Sequence, residues 1–235
     1  NETQKIGFAP TMGALHAGHI SLLAQSKRET SLTVCSIFVN PTQFNDQKDF
    51  DKYPVTLEED IHKIESVGTD ILFLPDAASL YRNGTHNLEQ YDIGYLETVL
   101  EGKFRPGHFQ GVCQVMSRLL KIIRPHRLFM GQKDYQQSLV VAQLLKTMQT
   151  DTVMVVSPTL REDNGLAMSS RNMRLSDRER NDGGNIYKAL LLKKQHLKPG
   201  ELDTLRNEAK SLLRQSGFKI DYVEIADANT LQLVD

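Results

Sequence analysis

Only two cysteines occur, Cys35 and Cys113, so no disulfide framework holds this chain together. Cys35 lies within an apolar run, where a small buried thiol is the simplest reading. So few cysteines suit a reducing compartment. An excess of charge of either sign is also missing. Twenty-eight basic residues face 29 acidic ones, for a net charge of −1. That balance argues against a general nucleic-acid binder but leaves room for local basic clusters around a phosphate. Long apolar runs are absent. The longest, around Leu32–Val39, falls far short of the roughly 18 residues a spanning helix needs, so no membrane insertion is expected. Asn1–Thr3 shows no signal-peptide pattern. Three catalytic signatures are missing too: the HExxH zinc motif, the GxGxxG dinucleotide fingerprint and the Walker lysine. No internal repeat or low-complexity segment is present.

What remains is an ordinary globular composition. The chain has 235 residues, 40% of them hydrophobic, enough for a sizeable core in one or two domains. Its first two thirds alternate strand and helix signals. Lys5–Ala9 reads as a strand ending at Pro10, and His19–Lys27 as a helix with Ile20, Leu23 and Ala24 on one face. Leu32–Val39 is β-branched and almost continuously apolar, the pattern of a strand buried on both faces. Thr56-Leu57-Glu58-Glu59 reads as a capping box before a helix that carries Leu57, Ile61 and Ile64 and stops at Gly68. Asp70–Leu74 is a short strand, Val112–Ile123 a helix and Leu128–Met130 a strand. Tyr135–Met148 is a helix burying Leu139, Ala142, Leu145 and Met148, and Thr152–Val156 is a strand. This alternation predicts an α/β fold, a doubly wound parallel sheet. Beyond a boundary near 157–160 the texture turns polar. Helices at Asn185–Leu197 and Asp203–Gln215 and a late strand at Tyr222–Ile225 predict a smaller α+β domain. The last residues, Leu233-Val234-Asp235, look like a strand beginning, which leaves open that this domain is incomplete.

In such sheets ligands lie beyond the carboxyl ends of the strands. The first predicted strand runs into Pro10-Thr11-Met12-Gly13-Ala14-Leu15-His16-Ala17-Gly18-His19. Its glycines permit close backbone approach, and the following helix N-terminus offers amides to an anion. His16 and His19 share a helical face and can donate hydrogen bonds to a phosphate and to a departing pyrophosphate. Asn40-Pro41-Thr42-Gln43-Phe44 follows the second strand. Gly131-Gln132-Lys133-Asp134 follows Leu128–Met130, with Gln136 and Gln137 opening the next helix. Met168-Ser169-Ser170-Arg171 sets two hydroxyls beside a guanidinium, suited to phosphate oxygens. Plainer readings stand beside these. The two histidines could be half of a zinc site, though no Cys/His cluster completes it. Lys133-Asp134 could be a surface ion pair, and Ser-Ser-Arg a simple turn. Their common position after strands is what favours a ligand site.

At these residues the sequence resembles the pantothenate synthetase (pantoate–β-alanine ligase) family, within the HIGH-type nucleotidyltransferase superfamily. Five blocks carry the resemblance in order: the segment from Pro10 to His19, Phe38–Phe44, Arg105-Pro106-Gly107-His108-Phe109-Gln110-Gly111-Val112, Gly131–Gln137 and Ser169-Ser170-Arg171-Asn172. The resemblance implies a Rossmann-like domain over 1–158 that binds ATP and pantoate, and a C-terminal lid domain over 159–235. It implies ATP-dependent condensation of (R)-pantoate with β-alanine through a pantoyl adenylate, releasing AMP and pyrophosphate. ATP would be contacted by Met12, Gly13, Ala14, Leu15, His16, Ala17, Gly18, His19, Gly131, Gln132, Lys133, Asp134, Leu160, Met168, Ser169, Ser170 and Arg171. Pantoate would meet Gln43 and Gln137, with Gln43 also lining the β-alanine pocket. His19 takes the family's proton-donor role, read physically as charge stabilisation at the pyrophosphate as much as proton transfer. His16, Lys133 and Arg171 join it in catalysis. Mg²⁺ is expected with ATP, held largely by phosphates and water; its protein ligands are unknown. A cytoplasmic homodimer is the family's habit, with no nucleic-acid or membrane partner.

The acidic run Glu58-Glu59-Asp60 could lie near such a metal but reads better as favourable charge in a helix first turn. Arg105–Gly111 reads as a binding loop. Asn181-Asp182-Gly183-Gly184 is unusually polar ahead of a helix, and Met173-Arg174-Leu175 stands where the family often has an aromatic. Two other functions stay open at this point: another HIGH-type adenylyltransferase that releases a nucleotidylated product, or a nucleotide-binding domain without catalysis.

Overall fold

The computed structural model describes residues 4–198 and 200–234. It divides into two compact units, Asn1–Thr159 and Leu160–Asp235. The first unit runs β1 (Ile6–Thr11), α1 (Ala17–Glu29), β2 (Leu32–Ile37), α2 (Gln47–Asp51), α3 (Leu57–Ser66) and β3 (Ile71–Phe73). It continues α4 (Ala77–Leu80), α5 (Leu100–Phe104), α6 (His108–Ile123), β4 (Arg127–Gly131), α7 (Tyr135–Thr147) and β5 (Val153–Ser157). The five strands are all parallel, in the order β3-β2-β1-β4-β5. The chain winds one way from β1 to β3, then returns to build β4 and β5 on the other side. The carboxyl ends of β1 and β4 therefore flank the switch point, where doubly wound sheets bind ligands.

Strand periodicity splits the core in two. Phe8, Val34, Leu128 and Met130 point to one face and pack with Val112, Met116, Leu119, Val140 and Leu144 of α6 and α7. Ala9, Cys35 and Phe129 point to the other and meet Leu22 and Leu23 of α1 and Ile64 of α3. Cys35 is fully buried, and burial pushes its thiol up to about 12, as expected of an inert core thiol.

Local chemistry overrides several expectations. β1 continues through Pro10 to Thr11, with Pro10 in register with Ser36. Pairing to β4 involves only Gly7 and Phe8, so at Pro10 one side of β1 has no ladder bond to lose. Thr56 precedes α3 but caps nothing; its hydroxyl donates to Asp60 instead, at 3.2 Å. Arg105–Gly111 is a loop only as far as Gly107, because α6 begins at His108. In α7 the buried residues are Gln136, Ser138, Val140, Val141, Leu144 and Leu145. Leu139 and Ala142 are half-buried, since β4 and α6 cover a face rotated from the predicted one.

The second unit holds α8 (Asp177–His196) and α9 (Leu202–Gln215), packed through Ala189, Ala209 and Leu213. Ser176 and Glu179 form a reciprocal cap, so α8 starts well before the polar Asn181–Gly184 stretch and includes it. Gly184 lets the helix approach the preceding turn: a Cβ there would lie 2.5 Å from the Asn164 carbonyl oxygen. Tyr222–Ile225 forms no strand. Among the described residues of this unit, β structure is limited to isolated bridges between Arg161 and Ala167 and between Ala226 and Leu233. No described helix is long and apolar enough to cross a membrane.

Candidate active site

The chain leaves β1 through a tightly turned loop. Gly13 and Ala14 both have positive φ, +81° and +48°, a conformation glycine accepts and alanine rarely adopts. The turn is held from inside. The Thr11 hydroxyl donates to the Ser36 carbonyl at 2.7 Å and accepts from the Gly13 amide at 3.3 Å. The Ala14 and Leu15 amides donate to the two carboxylate oxygens of Asp60, at 2.8 and 2.7 Å. Lys63 Nζ donates to the Leu15 carbonyl at 2.9 Å.

His16 is the N-cap of α1, and its Nδ1 accepts from the Gly18 amide at 3.1 Å. His19 Nδ1 accepts from the His16 amide at 3.3 Å. The two rings lie 4.0 Å apart, tilted by 35°. With both Nδ1 atoms accepting, each neutral ring carries its proton on Nε2. Burial, then the charges of His16, Lys133 and Lys63, push His19 down to about 3. At neutral pH the ring is therefore an uncharged Nε2–H donor. The Gly13, Ala14, Leu15, His16 and Gly18 amides are thus engaged internally, and His19 offers its Nε2–H edge.

The turn after β2 comes to the same place. Gln43 Nε2 lies 2.9 Å from Met12 Sδ, and Gln43 Oε1 accepts from Asn40 Nδ2 at 3.1 Å. Asn40 is fully buried. Its Oδ1 accepts from Tyr81 Oη at 2.7 Å and its Nδ2 donates to the Gly111 carbonyl at 3.1 Å. His108 Nδ1 sits 2.8 Å from the Gln43 carbonyl oxygen. The supporting roles of Asn40 and His108 are not visible in the sequence, where the segment reads only as a polar turn; a polar residue closing an otherwise apolar strand is the available signal. A cavity of about 450 Å³ opens beside Thr42, Gln110 and Gln114; it is lined by Gly107, Gln110 and Gly111 of the predicted binding loop but by none of the residues predicted to contact ATP or pantoate.

On the other side of the switch point, Lys133 follows β4 and lies 3.5 Å from Asp134. Its charge is among those that lower His19. Of the two glutamines opening α7, Gln136 is buried and structural, donating to the Leu96 and Val99 carbonyls at 2.8 and 2.9 Å. Gln137 is half-buried, and its side chain makes no hydrogen bond among the described residues. Gly131, Gln132, Lys133 and Asp134 accordingly lie around the rim at the end of β4.

The remaining predicted residues belong to the second unit. There the Met168 amide donates to the Leu160 carbonyl at 3.0 Å, joining two predicted segments. Ser169 caps the turn that bears Arg171, its hydroxyl accepting from the Arg171 amide at 3.3 Å. Ser170 is buried, and Asn172 ties the turn to Glu162 and to the Ala167 carbonyl.

Comparison with known proteins places this arrangement. The family model for pantoate-beta-alanine ligase matches residues 1–235. The chain belongs to the pantoate–β-alanine ligase family. Pantothenate synthetase from Bacteroides fragilis is 43% identical over 233 residues, covering 99% of this chain and 82% of the relative. The crystal structure of pantothenate synthetase from Thermus thermophilus superposes with a TM-score of 0.92 at 38% identity, covering 98% of this chain and 84% of that one. Pantoate-beta-alanine ligase from Francisella tularensis, solved with β,γ-ATP and β-alanine, is 41% identical with a TM-score of 0.79, covering 90% of this chain and 79% of that one. This pantoate–β-alanine ligase fold is the doubly wound α/β sheet predicted from strand and helix alternation.

Proposed function

We propose that the loops after β1, β2 and β4 bind ATP and pantoate, and that the Leu160 and Met168–Arg171 segments of the second unit supply further nucleotide contacts. The chain is a pantoate–β-alanine ligase. ATP and β-alanine, the ligands named for the Francisella relative, are its substrates together with pantoate. A pantoate carboxylate oxygen attacks the α-phosphorus of ATP, and the bond to pyrophosphate breaks. The β-alanine amine then attacks the carbonyl of pantoyl adenylate. AMP departs with the C–O bonding pair and the amine loses a proton, leaving pantothenate.

The residue roles are those the family resemblance implies, and the local geometry supports them. His16 and His19 present Nε2–H donors where negative charge grows on the leaving pyrophosphate. A His19 held far below its usual range stabilises that charge as a neutral donor. Lys133 and Arg171 offset phosphate charge, Lys133 as an adaptable point charge and Arg171 as a fork. Gln43, set by Asn40 and Met12, and Gln137, able to turn to a ligand, hold the pantoate hydroxyls and carboxylate. Met12 to Gly18, Gly131, Gln132, Asp134 and the Ser169 and Ser170 hydroxyls complete the nucleotide contacts. Catalysis on this reading is positioning plus electrostatics.

Mg²⁺ enters with the substrate, as MgATP. Among the described residues no three His, Cys, Asp or Glu side chains form a metal cage. Asp60, the buried carboxylate beside the loop, is already engaged by two amides and a hydroxyl. A magnesium ion held mainly by phosphates and water suits such surroundings. We carry a cytoplasmic homodimer into this reading on the strength of the family, to be tested by sedimentation equilibrium and cell fractionation.

The observation that carries the residue assignment is the pair of imidazoles 4.0 Å apart after β1, across the switch point from the β4 loop that bears Lys133. The test is product analysis: ATP, pantoate and β-alanine together should yield AMP in step with pantothenate, and omitting pantoate should abolish it. AMP formation that depends on a different acid would overturn the substrate assignment.

A further inference from the structure

Asp60 is 1% exposed, and among the described residues no metal-ligating cluster accounts for a carboxylate placed there. Its two oxygens receive the Ala14 and Leu15 amides, and Thr56 adds a hydroxyl. These are amides of the two residues that lead directly into His16. One of them, Ala14, belongs to a backbone turn that alanine disfavours, at φ +48°. One helical turn later, Lys63 takes the Leu15 carbonyl. Helix α3 thus grips the loop by its backbone, a carboxylate on two N–H groups and an ammonium on the C=O. It does so from 45 residues away in sequence.

We propose that Asp60, assisted by Lys63, is a positioning residue for the ligase reaction: it holds the strained turn that sets the two imidazoles at the β1 edge. This rests on the reading that His16 and His19 face the triphosphate. A carboxylate suits the task because it is acceptor-only and meets two converging N–H groups with one oxygen each. An amide in its place keeps the shape but turns an NH₂ against one of the two loop amides. The turn then loses a bond at the strained residue, and the rings drift. Reaction rates are sensitive to such drift, since a displacement of about 1 Å costs on the order of a hundred-fold.

The test is Asp60→Asn, read in two ways. In ATP–pyrophosphate exchange with pantoate, kcat should fall about a hundred-fold while KM for pantoate stays within about two-fold. In an NMR titration of the histidine rings, His19 should move from about 3 towards 6.5, because the burial and the nearby His16, Lys133 and Lys63 charges that depress it are set by the loop. Unchanged exchange kinetics would overturn the inference. So would lost activity with His19 titrating as before, which would make Asp60 a scaffold only, or activity restored by excess Mg²⁺, which would make it a metal ligand. If Asp60→Asn does not fold, Lys63→Met reads the same claim from a partly exposed position through the exchange kinetics alone, since losing the Lys63 charge raises His19 by itself; unchanged kinetics there would overturn it. His19→Ala separates the two levels: retained turnover in that variant defeats the site reading itself, whereas retained turnover only in the α3 variants defeats this inference alone.

Discussion

The loops leaving the sheet on either side of the switch point are held in opposite ways. The β1 loop is bound at nearly every step, by Thr11, Asp60 and Lys63 on its backbone and by the histidines' own Nδ1 atoms. The β4 loop ends in Lys133, a third exposed, whose ion pair with Asp134 is a loose contact. Directional donors and a mobile point charge need different support. An imidazole contributes to a transition state only along its N–H axis, so it must be aimed in advance. An ammonium with three rotatable donors works from many positions. One side of the switch point thus depends on geometry and the other on charge.

If that contrast is right, the largest effect belongs to His19. His19→Ala should lower kcat by about a hundred- to a thousand-fold, the usual cost of losing one donor at developing charge. His19→Gln places an amide N–H near the lost Nε2 position and should recover about ten-fold of that loss. Steady-state AMP release measures both. Glutamine performing no better than alanine would mean that His19 acts through a transferable proton rather than as a fixed donor. Lys133 should be less demanding: Lys133→Ala costs about ten- to a hundred-fold in kcat/KM for ATP, while Lys133→Arg costs less than about ten-fold, because charge survives and no tight geometry is violated. A severe arginine defect would show that this loop, too, relies on shape.

The low His19 pKa also predicts how stability depends on pH. The folded-state value of about 3 lies below the unfolded value of 6.5. Between them the unfolded chain binds a proton that the folded chain refuses, so folding stability is full above 6.5 and declines as pH falls towards 3. Thermal melts of the wild type should therefore drop more steeply across that window than melts of His19→Gln, which has no such group. Parallel slopes in the two proteins would remove the buried, pre-aimed imidazole from one half of the contrast.

Much of this arrangement is legible in the chain, and some is hidden for identifiable reasons. Short apolar runs, with glycine and histidine after β1 and glycine and lysine closing β4, are enough to place the parallel sheet and both loops, because strand period and turn chemistry are local. The role of Asp60 is not local. Within Glu58-Glu59-Asp60 it looks like one more favourable charge at a helix start. Ile64 is buried one turn later on the same face, however, so a carboxylate at position 60 falls on the apolar side of α3. That mismatch is the available sign. Gln136 and Gln137 differ in the same manner: adjacent and chemically identical, they are separated by which side of α7 meets the residues between Leu96 and Glu101. The late strand at Tyr222–Ile225 fails for the opposite reason, since its residues suit a strand but find no partner strand among the described residues.

The smallest expected effect tests the loosely held side directly. Asp134 is more than half exposed and lies 3.5 Å from Lys133, an ion pair between flexible side chains in water. Such pairs give back in screening and side-chain entropy most of what Coulomb attraction supplies. Asp134→Asn should therefore change unfolding free energy by less than about 0.5 kcal/mol in urea titration. Raising the salt concentration should not separate the variant from the wild type, because the pair contributes little for salt to screen. A larger, salt-sensitive loss would mean that Lys133 is held in place before ATP arrives. Both sides of the switch point would then be built in advance, and the division between aimed donors and adaptable charge would collapse.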